Sequence, residues 1–136
     1  MAQHNKTGSL GEDIASKYLE QKGFEIVERN YSRKWGEIDI VARETLWNKE
    51  TLHFVEVKTV SREILSKDDI SRVTSDFSPE EMVHGDKVSR LKRAIQTYLA
   101  DRCVPRETEW QFSVLAVFLD PNTKKAAVRY TKNVVL

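Results

Sequence analysis

Gly36-Glu37-Ile38-Asp39-Ile40-Val41-Ala42, and then Phe54-Val55-Glu56-Val57-Lys58-Thr59, are the two runs on which the reading of this chain turns. Each alternates with the period of two that marks a β-strand. In the first, Ile38, Ile40 and Ala42 are expected on one face and Glu37, Asp39 and Val41 on the other. In the second, Val55, Val57 and Thr59 oppose Phe54, Glu56 and Lys58. The complete strands are placed at residues 36–43 and 51–60. The connection at 44–50 is short and polar apart from Leu46 and Trp47, which predicts an antiparallel hairpin. Paired in that way, Asp39, Glu56 and Lys58 share one patch.

Working outward, Ser9-Leu10-Gly11-Glu12 has the form of a capping box, and Gly23 stands where a left-handed C-terminal cap belongs. Between them Leu10, Ile14, Ala15, Tyr18 and Leu19 form one apolar stripe at helical spacing. Residues 24–31 read as a strand. Residues 61–81 are acidic and lack sustained periodicity, which predicts a long mobile loop, with Ser78-Pro79-Glu80-Glu81 as a cap for a short helix at its end. A second main helix is expected over 86–101, with Val88, Leu91, Ile95, Tyr98 and Leu99 inward. An apolar strand at 109–119, a turn at Asp120-Pro121-Asn122-Thr123 and a closing strand at 124–130 complete the chain. The expected architecture is an α/β fold in one domain spanning residues 1–136: helix, three strands, helix, two strands, with helices covering the apolar side of a mostly antiparallel or mixed sheet.

With 136 residues, 40% of them hydrophobic and 32% charged, the chain can bury a core without disulfides or a structural metal. The single cysteine, Cys103, excludes an internal disulfide and a cysteine-based zinc site, and is expected as a half-buried thiol near a helix end. The first nine residues are polar and no apolar run approaches membrane-spanning length, so a cytoplasmic location and no membrane partner are the default expectations. A homodimer is among the open assembly states. The net charge of +1 is unevenly spread: residues 61–81 carry three cations against six anions, whereas residues 87–102 carry five cations against one anion. That local excess would suit a polyanion such as nucleic acid.

Two carboxylates and an amine on one patch suit phosphodiester hydrolysis. Hard carboxylate oxygens hold Mg²⁺, and a bound metal acidifies water and neutralises charge on the phosphate. Lys58 would orient the attacking water or contact the phosphate. Spacing alone also allows a plainer reading, in which these are residues of a solvated sheet face and Asp39 merely pairs with Lys58.

The two hairpin motifs, together with Gly11-Glu12, Ala15, Tyr18-Leu19, Gly23-Phe24, Arg29-Asn30, and Lys87 followed by Arg90-Leu91, Ala94 and Tyr98-Leu99, resemble the YraN family of small bacterial endonuclease-like proteins. That family is similar to archaeal Holliday-junction resolvases and belongs to the PD-(D/E)XK, restriction-endonuclease-like superfamily. The resemblance spans about residues 8 to 119. It implies an αβββαβ core, Asp39 and Glu56 as ligands of Mg²⁺ (or Mn²⁺), Lys58 as the catalytic lysine, and DNA, branched or nicked forms included, as substrate. Two departures stand out: the acidic stretch 61–81 replaces a glycine-containing loop, and Ser113 occupies a position where an aspartate is expected.

Several further residues carry two readings each. Glu12 either closes the Ser9 capping box or reaches the metal from its helix. Glu37 shares the Asp39 face but is expected in solvent at the strand's mouth. Lys87 starts the second helix on the Leu91 side, pointing toward the site or remaining a surface lysine. Arg33, Lys34 and Trp35 form a basic–aromatic turn that either grips phosphate and stacks on a base or is a solvated turn with a tucked ring. Arg90, Lys92 and Arg93 are candidate phosphate contacts on the same helix as Lys87. His4, His53 and His84 lack metal-ligand spacing and are read as non-catalytic.

Overall fold

A computed structural model describes residues 3–79 and 83–136, with side chains for 8–72, 74–75, 77–79 and 83–136. The order is α1 (Gln3–Gln21), β1 (Glu25–Arg33), β2 (Gly36–Leu46), β3 (Lys49–Ser61), α2 (Lys67–Asp76), α3 (Asp86–Asp101), β4 (Glu109–Leu119) and β5 (Ala126–Thr131). The five strands form one sheet in sequence order. β3 and β4 are parallel; every other pair is antiparallel. A parallel pair needs a long crossover, and α2 and α3 supply it.

The helices lie on both faces of the sheet. On one side, Leu91, Ala94, Ile95 and Tyr98 of α3 pack with Tyr31, Ile38, Val41, Leu52, Phe54, Phe112 and Val114. On the other, Ala15 and Leu19 of α1 pack with Phe24, Ile40, Ala42, Val55, Leu115 and Val117. A third cluster, Ile64, Ala116, Phe118 and Ala127, receives Ile70 of α2. The mixed α/β architecture expected from the sequence is therefore the one observed.

Four local expectations are corrected. First, α1 begins at Gln3, so Ser9 and Glu12 lie inside the helix and the capping box does not form. Gly23 does take the left-handed cap conformation, with φ of 94°. Second, residues 61–81 are not one long loop. Ser66 and Asp69 form a reciprocal capping box that starts α2, and the buried Asp120 carboxylate accepts the Ile64 N–H at 2.8 Å, tying the preceding segment to the β4–β5 turn. The short helix expected after Pro79 lies largely on residues 80–82, outside the described residues. Third, the hairpin connection shrinks to Trp47-Asn48, both with positive φ, the primed turn that matches strand twist. Fourth, Cys103 is exposed rather than half-buried.

The alternation in β2 is also interrupted. Ile38 and Val41 both pack on the α3 side, while Ile40 and Ala42 pack on the α1 side. The β2–β3 ladder ends at Ile40 opposite Val55, so β3 no longer pins the direction of the residues before Ile40. Asp39 is the first residue beyond that end.

Candidate active site

Asp39 sits in the fork where β2 leaves β3. Its Oδ2 accepts the Val57 backbone N–H at 2.7 Å, so the side chain replaces the strand as the partner of that amide. Glu56, the preceding residue of β3, presents its carboxylate toward α3, where Lys87 Nζ lies 3.1 Å from Oε1. Burial, then the charge of Glu56, pushes the Asp39 carboxyl up to about 7 against the pull of the Val57 N–H; Glu12 and Glu37 add to the rise.

Glu12 approaches from α1, which lies close against β3 because residue 11 is glycine. A Cβ on Gly11 would stand 1.9 Å from Thr59 Oγ1. The Glu12 pKa is raised, chiefly by burial, with the Arg29 charge opposing and Glu37 and Asp13 reinforcing. Among the described residues its Oε1 is buried without a hydrogen-bond partner, although an Asn30 side-chain hydrogen bond reaches the carboxyl group. Of the two readings of Glu12, the cap is gone, and the carboxylate is close enough to Asp39 to contribute to its raised pKa.

These observations decide whether a metal suits the site. The Glu12, Asp39 and Glu56 carboxyl groups, with Lys87 on Glu56 and the Arg29 charge near Glu12, offer the hard oxygens that a divalent cation such as Mg²⁺ or Mn²⁺ would need. Among the described residues no group of three His, Cys, Asp or Glu side chains is already gathered round a cation position. Asp39 and Glu56, with waters completing the shell, are the ligands that fit.

Lys58 follows Glu56 on β3, on the face that alternation predicts, and its partner across the ladder is Ala116 of β4. Its side chain is exposed and forms no ion pair among the described residues, so the simple Asp39–Lys58 pairing does not occur. Glu37 is exposed, as expected.

Beside the carboxylates opens a cleft of about 430 Å³ lined by residues that include Arg33, Lys34, Trp35, Glu56, Lys87 and Arg90. It exists because β2 starts against α3: a Cβ on Gly36 would come within 2.8 Å of the Arg90 carbonyl oxygen. The candidate cations do not contribute alike. Lys34 and Arg90 are exposed in the cleft wall. Arg33 is held by Asp101 at 2.7 Å and lies over the Tyr31 ring. Arg93 stacks on Trp35, 4.2 Å from the ring centre, and the half-buried indole lines the cleft. Lys92 is exposed but lies outside the cleft lining.

Sequence reasoning overlooked a second polar cluster. His53 is fully buried; its Nδ1 is 2.9 Å from Tyr130 Oη and its Nε2 3.0 Å from Glu44 Oε1, which Lys132 also approaches through Oε2. Its members come from β2, β3 and the end of β5, and no local spacing announces them. They lie toward the hairpin tip, away from Asp39.

A mixed five-stranded α/β sheet with an acidic fork at the parting of β2 and β3 is the class that this fold and site define. Residues 11–117 match the family model described as "Uncharacterised protein family UPF0102". UPF0102 proteins similar to this chain include one from Dictyoglomus turgidum, 33% identical over 131 residues, covering 96% of this chain and 97% of that protein. Another, from Syntrophotalea carbinolica, is 41% identical over 110 residues, covering 81% and 76%. A third, from Clostridium botulinum, is 30% identical over 126 residues, covering 93% and 90%. The chain belongs to the UPF0102 family.

Proposed function

We propose that this protein is a metal-dependent endonuclease that hydrolyses phosphodiester bonds in DNA, with branched or nicked DNA as candidate substrates. The observation that carries the reading is the fork itself: Asp39 held on the Val57 amide, Glu56 beside it, and Lys58, two residues on, without an ion pair among the described residues. A divalent cation bound there would supply positive charge against the phosphate and lower the pKa of a coordinated water. Asp39 and Glu56 would hold it, and Glu12 would accept from a water in its shell. A bound cation would favour the ionised form of Asp39, against the burial and the Glu56 charge that raise its pKa. The Lys58 ammonium orients the attacking water or contacts the phosphate, while Lys34 and Arg90 grip the backbone along the cleft.

The test is cleavage of nicked, branched and single-stranded DNA with Mg²⁺, Mn²⁺ or chelator, beside Asp39→Ala and Glu56→Ala. Metal-dependent cleavage lost in both variants supports the reading; cleavage that both retain, or none by the unaltered protein on any substrate, refutes it. A second reading, a nuclease fold that binds nucleic acid without cutting, draws support from Ser113, whose buried position on β4 carries no carboxylate. Salt-dependent DNA binding unaffected by Asp39→Ala, with no heat of metal binding, would favour it.

A further inference from the structure

We propose that Lys87 is a metal-gated phosphate clamp: its ammonium neutralises Glu56 while no cation is present, and passes to the substrate phosphate when a cation takes over that carboxylate. The inference rests on the metal-dependent reading above. Lys87 Nζ lies 3.1 Å from Glu56 Oε1, and the Glu56 side chain is 16% exposed against 39% for Lys87, so the lysine reaches inward from the cleft. Its position in the first turn of α3 is not explained by helix stability. A cation near a helix N-terminus opposes the macrodipole, and this N-terminus has Gly85 at its cap with no side-chain hydrogen bond. What the ammonium does meet is the Glu56 carboxylate, the less exposed partner of the pair.

A half-exposed lysine pair is weak and its stem is flexible, so a divalent ion can displace it readily. The released ammonium remains in a cleft that Lys34 and Arg90 also line. Metal binding would thus convert a neutralised lysine into a cation facing the substrate, coupling metal and DNA affinities.

Calorimetry with Mn²⁺ alone, without DNA, tests the first half. Lys87→Met should bind Mn²⁺ about five-fold more tightly than the unaltered protein, because the competing ammonium is gone. Arg90→Met removes a charge from the same cleft but no ion pair with Glu56, and should change the affinity by less than about two-fold. Binding of a short DNA duplex, measured in chelator and in Ca²⁺ to separate binding from cleavage, tests the second half. The unaltered protein should gain affinity on adding Ca²⁺, and Lys87→Met should lose most of that gain. Equal Mn²⁺ affinities for Lys87→Met and the unaltered protein, an Arg90→Met effect as large as that of Lys87→Met, or an undiminished Ca²⁺ gain would each overturn the clamp alone. Absence of Mn²⁺ binding by every protein would overturn the metal-dependent reading and the clamp with it.

Discussion

Asp39 carries the plainest pH signature of any residue in the chain. Its carboxyl titrates near 7 in the folded protein but near 4 once unfolded, so the folded state keeps a proton that the unfolded state releases. The stability this group contributes is therefore fully present below pH about 4 and is lost as pH rises through about 7. In metal-free protein the Asp39 contribution is expected to fall between about pH 4 and 7, so Asp39→Asn should be more stable than the unaltered chain at pH 8 by on the order of 2 kcal/mol, with most of that advantage gone at pH 4.5. Denaturant titrations at the two pH values measure this; an Asp39→Asn protein that is equally destabilised at both would contradict it. His53 acts in the opposite sense. Burial holds its pKa below the usual imidazole value, against the pull of Glu44, so the unfolded chain takes up a proton first. Stability should fall as pH drops through about 6.5, and in His53→Gln that acid-side slope should vanish whatever the variant's baseline stability. Comparing the two variants separates the two slopes.

Two contacts between elements set the shape of the site, α1 on β3 at Gly11 and β2 on α3 at Gly36, and both depend on the lack of a side chain. Gly36 lets β2 meet the backbone of α3 at Arg90, and an added methyl has no flexible neighbour to displace. Gly36→Ala is expected to cost about 1–3 kcal/mol in denaturant unfolding and to weaken DNA binding as well, because α3 carries Lys87 and Arg90. α2 is held differently, by the Ser66–Asp69 box and by Ile70 on the third cluster. Ser66→Ala should cost about 1 kcal/mol, and hydrogen exchange should show the loss concentrated in 67–76. That box was legible as Ser66-Lys67-Asp68-Asp69, but the acidic composition around it masked the signal. Ser9-Leu10-Gly11-Glu12 misled for the converse reason: a capping pattern inside a run that continues helically upstream caps nothing.

Over the whole molecule the charge is near balance, +1, so any hold on a polyanion must come from placement. Arg90, Lys92 and Arg93 lie on one helix beside the acidic fork, whereas Lys49 at the hairpin end is paired with Glu109. Reversing all three α3 charges is expected to weaken DNA binding at least about ten-fold and to flatten its salt dependence, and Lys49→Glu to do neither. Fluorescence anisotropy across a salt series reads both quantities. Among the described residues no helix is long and apolar enough to cross a membrane.

Hydrophobic periodicity, glycine placement and the two hairpin motifs were enough to determine the strands, the bounds of α3 at 86–101 and the α/β class, because these depend on neighbours within a few residues. The same local information named Asp39, Glu56 and Lys58 as a set. Tertiary structure alone decided how they differ. Asp39 bonds the Val57 amide because β2 and β3 part there, Glu56 meets Lys87 because α3 crosses that face, and Lys58 is exposed. It also turned Glu12 from a cap into an inward carboxylate and joined His53 to Glu44 and Tyr130. Those outcomes hinge on where a ladder ends and which elements lie face to face, and contacts between residues distant in the chain leave no periodic trace in it.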